Sequence, residues 1–325
     1  MKSVVEDIKK GSFKPVYLFY GEEAYLKQQY KNRLKNAVLP EGDTINLSIY
    51  SGKGIDVKEI IAQADTMPFF AEHRLLLIED SGFFKNANQQ LAEYIPSIPE
   101  ETIMLFVESE VDKRGKLYKA VSKKGSVVEF TAQNEQTLTR WILGILKTEG
   151  KMITSGAMKQ FLEKTGTDME RIRQELEKLI CYCMEKESIT EEDVAVICSE
   201  QTENKIFDMI NAMAEKKQKK AMELYYDLLA LKEPPMRILY LITRQFNLLM
   251  QVKELSEEGY SAKTISERLK MAGFIVRNCL RQAEYFSLKT LKEALQDCVR
   301  MEEAVKTGRM NDVMSVELLL VKYSS

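Results

Sequence analysis

A chain of 325 residues has room for two or three domains of ordinary size. Its 47 Lys and Arg against 49 Asp and Glu leave a formal net charge of −2. That argues against a protein that coats nucleic acid by itself, since a dedicated binder carries a basic excess; a local basic patch stays open. No apolar run approaches the roughly eighteen residues of a membrane helix, and the opening MKSVVEDIKKG has charges where a signal peptide is apolar. The expected location is therefore cytoplasmic, with no membrane partner.

The first 140 or so residues alternate strand and helix. Short apolar runs stand at 16–20 (VYLFY), 45–50 (INLSIY), 75–78 (LLLI), 103–107 (IMLFV) and 127–130 (VVEF). Helical patterns lie between them, at 22–37 with Leu26, Tyr30 and Leu34 four apart, and at 57–64. Gly115 and Gly125 punctuate the last crossover. Strands separated by helices predict a mainly parallel sheet covered on both faces.

From Glu135 onward the strand signal fades. Helices are expected over 135–149, 154–164 and 168–183, followed by a short one after Thr190, a good N-cap with Asp193 three residues on. This reads as a small all-helical domain ending near Ser199, with a polar linker over 200–204. Beyond it nearly everything is expected to be helical, first over 205–231, then a break at Pro234 and Pro235. Further helices follow over 236–255, after the caps Ser261 and Ser287, and over 287–306 and 312–323.

Five Cys suit reduced thiols. Cys181 and Cys183 are close, but Cys198, Cys279 and Cys298 are scattered, so no second close pair completes a zinc site.

The turn after the first strand stands where a phosphate-binding loop would stand. That loop has Gly, four residues, Gly, Lys, then Ser or Thr. Counting from Gly21 puts Leu26 at the second Gly, Lys27 at the Lys and Gln28 at the metal-binding hydroxyl. Leu26 carries a bulky side chain, and Gln28 is a poor metal ligand. Glu22 and Glu23 complement the helix dipole themselves and would repel an anion. Lys27 survives alone and is expected to be solvated. Glu79-Asp80, after the third strand, could hold magnesium or simply open a solvated loop, but without a phosphate loop it cannot hold a nucleotide. No cofactor or metal is expected.

Met67-Pro68-Phe69-Phe70 precedes the third strand. Both rings could fill the core between helix and sheet. Yet on a helix neighbours i and i+1 do not share a face, so one ring could be exposed as a partner site. His73, the single histidine, has no second His and no positioned Ser or Cys to form a triad; it is expected at the edge of such a site or exposed. Asp112-Lys113-Arg114 with Lys116, and Lys216-Lys217-Gln218-Lys219-Lys220, read first as solvated faces. Gly308 reads as a helix C-cap.

Six ordered stretches carry a resemblance: PVYLFYGEEAYL (15–26), MPFFAEHRLLLIED (67–80), DKRGKLYKAV (112–121), GTDMERIRQELEKL (166–179), ENKIFDMINAMAE (203–215) and KTGRMNDVMSVELLL (306–320). Across essentially its whole length the sequence resembles the delta-subunit family of bacterial DNA polymerase III, part of the clamp loader. The resemblance implies an AAA+-like α/β domain (1–140) with a degenerate phosphate loop, a small helical lid domain (141–204) and an all-helical collar domain (205–325) for clamp-loader oligomerisation. It implies no ATP hydrolysis and no catalytic residue in this chain, which would be a subunit of the polymerase III holoenzyme.

The sibling ATPase subunits carry an intact phosphate loop, usually a four-Cys zinc site, and a Ser-Arg-Cys motif, none of which occurs here; Arg114 is the nearest arginine at the corresponding stretch. The implied clamp-binding residues are Phe69 and Phe70, with Met67 as neighbour. The implied partners are the sliding clamp, the ATPase subunits and delta-prime through the collar, and primed DNA within the assembled complex. The competing readings are an AAA+ ATPase with a divergent loop and a DNA-binding adapter acting through its helical C-terminal half.

Overall fold

The computed structural model describes residues 1–86, 88–198 and 202–324. The chain divides into two compact units, Met1–Gln133 and Asn134–Ser325.

The first unit runs α1 (Lys2–Lys10), β1 (Val16–Tyr20), α2 (Ala24–Val38), β2 (Leu47–Ser51), α3 (Val57–Ala64), β3 (Arg74–Glu79), α4 (Gln89–Tyr94), β4 (Thr102–Glu108), α5 (Lys116–Lys124) and β5 (Ser126–Glu129). The five strands form one sheet in the order β2-β3-β4-β1-β5, and every pairing is parallel. The central strands are apolar at almost every position because both of their faces are buried.

Alternate residues go to opposite sides. Val16, Leu18, Tyr20, Leu76, Ile78, Met104 and Phe106 meet Ile60 and Ala64 of α3, Leu91 of α4, and Leu117 and Val121 of α5. Tyr17, Phe19, Leu75, Leu77, Ile103 and Leu105 meet Val4 of α1 and Leu34 and Val38 of α2. Each such side chain contributes about 1.5–3 kcal/mol over remaining exposed. β2 is an edge strand, and its Ile49 is exposed.

Helices α1 and α4 were not expected from the sequence. Each is short and buries a single residue, Val4 and Leu91 respectively. The second strand begins two residues later than its apolar run, because Asp43 accepts the amide N–H groups of Ile45 and Asn46, both at 3.0 Å, and bends the chain there.

The second unit begins with α6 (Glu135–Thr148), β6 (Met152–Ile153), α7 (Ser155–Thr165), α8 (Met169–Tyr182), β7 (Ser188–Ile189) and α9 (Glu191–Ile197). The all-helical expectation needs correction: β6 and β7 form a short parallel pair. The helices begin within a residue of the ranges read from the sequence, and the Thr190–Asp193 pair is the one it names. Thr154 and Asp168 accept the amides of Ala157 and Arg171, and the Asp193 carboxylate accepts the Thr190 N–H at 2.9 Å.

The unit continues with α10 (Thr202–Ala214), α11 (Gln218–Ala230), α12 (Pro235–Glu257), α13 (Ala262–Leu269), α14 (Gly273–Ala283), α15 (Leu288–Lys306) and α16 (Asp312–Ser324). The expected linker is helical from Thr202, and its residues 200 and 201 lie outside the described residues, as does Ser199. The run expected over 205–231 is two helices. Lys216 takes a left-handed φ of 60°, and Lys217 N–H returns to the Ala212 carbonyl at 2.8 Å.

Tyr225, Phe246, Ile242 and Leu319 lie in the core of this helical stretch. Gln282 is a buried polar residue within it. The buried Gln282 side chain donates to Phe207 O at 2.9 Å and Asn211 Oδ1 at 2.8 Å, and accepts from Gln245 at 2.8 Å. Three helices are thereby tied in one register.

Gly125, between α5 and β5, is held against β1. A Cβ there would stand 1.9 Å from the Val16 carbonyl oxygen. Gly125→Ala is expected to lower stability by about 2 kcal/mol or more, measured by urea unfolding; an unchanged midpoint would contradict this packing.

Candidate functional site

Two places in the first unit carry the residues singled out in the sequence, and they lie at opposite ends of the parallel sheet. The turn compared with a phosphate loop in the sequence follows the C-terminal end of β1. Gly21 has a φ of 118°, and a Cβ on it would meet the Phe130 carbonyl oxygen at 2.3 Å. The glycine is thus required by backbone packing, whether or not a phosphate approaches. Two residues on, the Glu23 N–H donates to the same Phe130 carbonyl at 3.1 Å.

Leu26 packs against the α2 side of the sheet core, and Gln28 is exposed. Lys27 is not solvated as expected. Its Nζ donates to the Glu108 carbonyl at 3.2 Å, and burial lowers its pKa, opposed by the charges of Asp80, Glu108 and Glu23.

The neighbouring charges are paired within the protein. Lys31 and Glu79 meet at 2.7 Å, so Glu79 does not open a solvated loop. Glu108 is buried and accepts the amides of Ser81 and Gly82, each at 3.2 Å, as well as the Ser81 hydroxyl. Burial raises its pKa despite those donors. Among the described residues, no group of three or more His, Cys, Asp and Glu is arranged to hold a metal.

The other place is the segment between α3 and β3, which has neither helix nor strand. It carries the largest exposure of apolar side chains in this unit: Met67 is 77 %, Phe69 57 % and Phe70 96 % exposed. The structure therefore removes the core-filling alternative for the two rings. They touch edge to face, with centroids 4.5 Å apart. Phe70 has a left-handed φ of 50°, a conformation that costs a non-glycine residue about 1–3 kcal/mol and persists only where the surroundings impose it.

The residues that hold the backbone beside Phe70 are polar and were not singled out in the sequence. Asn46, 2 % exposed, accepts the Phe69 N–H on Oδ1 at 2.6 Å and donates from Nδ2 to the Phe69 carbonyl at 2.9 Å. The same Nδ2 donates to Asp43 Oδ2 at 2.7 Å. Arg74, buried at the start of β3, donates from Nη2 to the Met67 carbonyl at 3.3 Å. On the α3 side, Tyr94 O–H donates to Asp65 at 2.6 Å. Ile45, next to Asn46, is also exposed. The one legible signal was Asp43-Thr44-Ile45-Asn46, the spacing of an Asx-type turn. An apolar loop fixed in this way can bury its surface against another surface; it holds no acid, base or nucleophile aimed at a substrate.

The remaining sequence candidates lie elsewhere. His73 is not simply exposed: its ring packs edge-on against Phe13 at 5.8 Å. Arg114 pairs with Asp112 at 3.0 Å and Lys113 with Glu129 at 2.9 Å. Lys217 pairs with Glu215 at 2.6 Å. The five cysteines are free thiols, and burial pushes Cys279 and Cys298 up to about 11.

Fold and site together define an α/β protein with a helical second unit, whose candidate site is an apolar contact loop and not a substrate pocket. Residues 17–131 match the family described as DNA polymerase III, delta subunit, and residues 203–323 match the DNA polymerase III delta subunit, C-terminal domain. The chain is 30 % identical to DNA polymerase III subunit delta of Bacillus subtilis, over 98 % of this chain and 95 % of the relative. It is 21 % identical to the probable DNA polymerase III subunit delta of Aquifex aeolicus, over 75 % and 72 %. The structure of the Bacillus subtilis DNA clamp loader delta protein superposes with a TM-score of 0.69 at 30 % identity, covering 99 % of both chains. The chain belongs to the delta-subunit family of DNA polymerase III.

The Asp43 carboxylate is the electrostatic root of the loop's anchorage. Its bonds from the Asn46 side chain and amide, with the Ile45 amide and the Arg74 charge, hold its pKa below the ordinary 3.8. The group is depressed, so its hold is complete at neutral pH and is lost as pH falls through the lowered value. An NMR titration of the Asp43 carboxyl carbon is expected to give a midpoint below 3.8; a midpoint at or above it would contradict these contacts.

Proposed function

We propose that this chain is the clamp-binding subunit of a bacterial replicative clamp loader. It grips the sliding clamp through Met67, Phe69 and Phe70 and opens one of the clamp's interfaces for loading on primed DNA. The observation that carries this reading is the pair of adjacent phenylalanines held outside the core, 57 % and 96 % exposed, on a loop shaped by buried polar side chains. Membership of the delta family supplies the partner.

The action is mechanical. Burying two Phe yields roughly 3–6 kcal/mol before the costs of association, which is the scale at which a few residues dominate an interface. Gripping shifts the clamp towards an open ring only if the open form fits the loop better than the closed one. The energy of ATP enters through sibling subunits, which carry the intact phosphate loop and control access to the loop of this chain. This chain supplies no catalysis of its own. Residues 1–140 act as the AAA+-like domain, 141–204 as the lid, and 205–325 as the collar that joins the ATPase subunits and delta-prime. The assembly works in the cytoplasm, at DNA.

Binding of the purified chain to the sliding clamp of the same organism tests the reading, by calorimetry on wild type and on the Phe69→Ala/Phe70→Ala variant. The variant is expected to lose at least a hundredfold in affinity, since each tenfold is about 1.4 kcal/mol, with its helix content unchanged by circular dichroism. Equal affinity of the two proteins would overturn the assignment. Collapse of the helix signal would return the rings to the core.

A further inference from the structure

Between the end of α3 and the start of β3 the chain has no ladder or helix to fix it, yet its backbone is held at three points. The Met67 carbonyl accepts from Arg74, and both polar groups of Phe69 engage Asn46. One carboxamide taking the N–H and the C=O of the same residue reproduces, from a side chain, what a neighbouring strand gives a hydrogen-bonded pair. Pro68 lies between the two anchors, with its φ restricted by its ring.

The orientation of the amide is determined by chemistry. Asp43 Oδ2 and the Phe69 carbonyl are both acceptors, so the NH2 group must face them and the oxygen must face the Phe69 N–H. Both Nδ2 hydrogens are used, and the group is 2 % exposed. Asn46 is therefore buried beneath the loop and presents nothing to a partner.

We infer that Asn46 is a positioning residue, oriented by Asp43, that holds Phe69 and Phe70 in their binding geometry and so sets affinity for the partner without touching it. The inference rests on the reading that this loop docks on the sliding clamp. A loop that is already fixed when it meets its partner does not lose conformational freedom on docking. Without the carboxamide, Phe69 N–H and C=O turn to water, and the left-handed backbone of Phe70 is no longer imposed.

Asn46→Ala keeps the backbone bond from Leu75 N–H to the residue 46 carbonyl, 2.8 Å long, so the β2–β3 pairing survives. Two readouts on the full chain test the inference: affinity for the purified sliding clamp, and amide hydrogen exchange by NMR in the free protein. In Asn46→Ala, affinity is expected to fall about tenfold or more, and the Phe69 amide to change from protected to fast exchange. The amides of β2 and β3 should stay protected, which a general loss of structure would not allow. Asp43→Ala is expected to shift both readouts in the same direction by a smaller factor.

An unprotected Phe69 amide in the wild type would overturn the inference. So would clamp affinity within twofold of wild type once that amide is freed, or loss of protection throughout β2 and β3. Failure of the wild type to bind the clamp at all would instead strike the docking reading itself, and the inference with it.

Discussion

The two-sided burial of β1, β3 and β4 is the constraint on which the first unit depends. Strands covered on both faces cannot tilt or slip without exposing one hydrophobic layer and overpacking the other. Their ends are therefore fixed points. From the C-terminal ends of β1, β3 and β4 come Gly21, Glu79 and Glu108; at the N-terminal ends of β2 and β3 stand Asn46 and Arg74. Ligands of open parallel sheets bind outside the carboxyl ends of the strands. The candidate contact loop is at the other edge. The exposed aromatic pair therefore lies at the end of the sheet opposite the usual ligand end.

What fills the carboxyl end explains why the framework keeps its shape. Lys27 spends its ammonium on the Glu108 carbonyl, Lys31 on Glu79, and the Glu108 carboxylate on Ser81 and Gly82. Leu26 adds an apolar contact where a glycine would allow close approach of phosphate. These contacts pair the polar groups at this end of the sheet within the chain. Buried pairs of this kind give modest net stability, because desolvation opposes their attraction. They do leave the buried charges satisfied.

The strands and most helices were legible in the sequence because burial writes them there. VYLFY and IMLFV are apolar throughout, Ser261 and Ser287 mark helix starts with the hydroxyl oxygen that caps them, and Thr190 pairs with Asp193, whose carboxylate accepts the Thr190 N–H. Helices α1 and α4 were not read from the sequence: α1 offers one apolar spacing of four, Val4 to Ile8, within nine residues, and α4 is only six residues long. The parallel pair β6–β7 is two residues long and equally silent. Leu26 packs on the sheet core and Gln28 is exposed. The partners of Lys27 and Lys31 were not legible, because residues some fifty to eighty positions away supply them. For Phe69 and Phe70 the sequence left two readings open. Their exposure decides between them, and the Phe69 backbone is held by Asn46, twenty-three residues before it, which no local pattern announces.

The central claim is that this aromatic edge is the surface laid against the clamp. The most direct measurement replaces Phe70 with a photoreactive phenylalanine analogue in the full chain, mixes it with the sliding clamp and irradiates. Residue 70 is almost wholly exposed, so the analogue disturbs no core packing. A covalent adduct from position 70, with none from the same analogue at the exposed Tyr240 of the second unit, is the predicted result. A complex that forms but yields no adduct at position 70 would contradict the account.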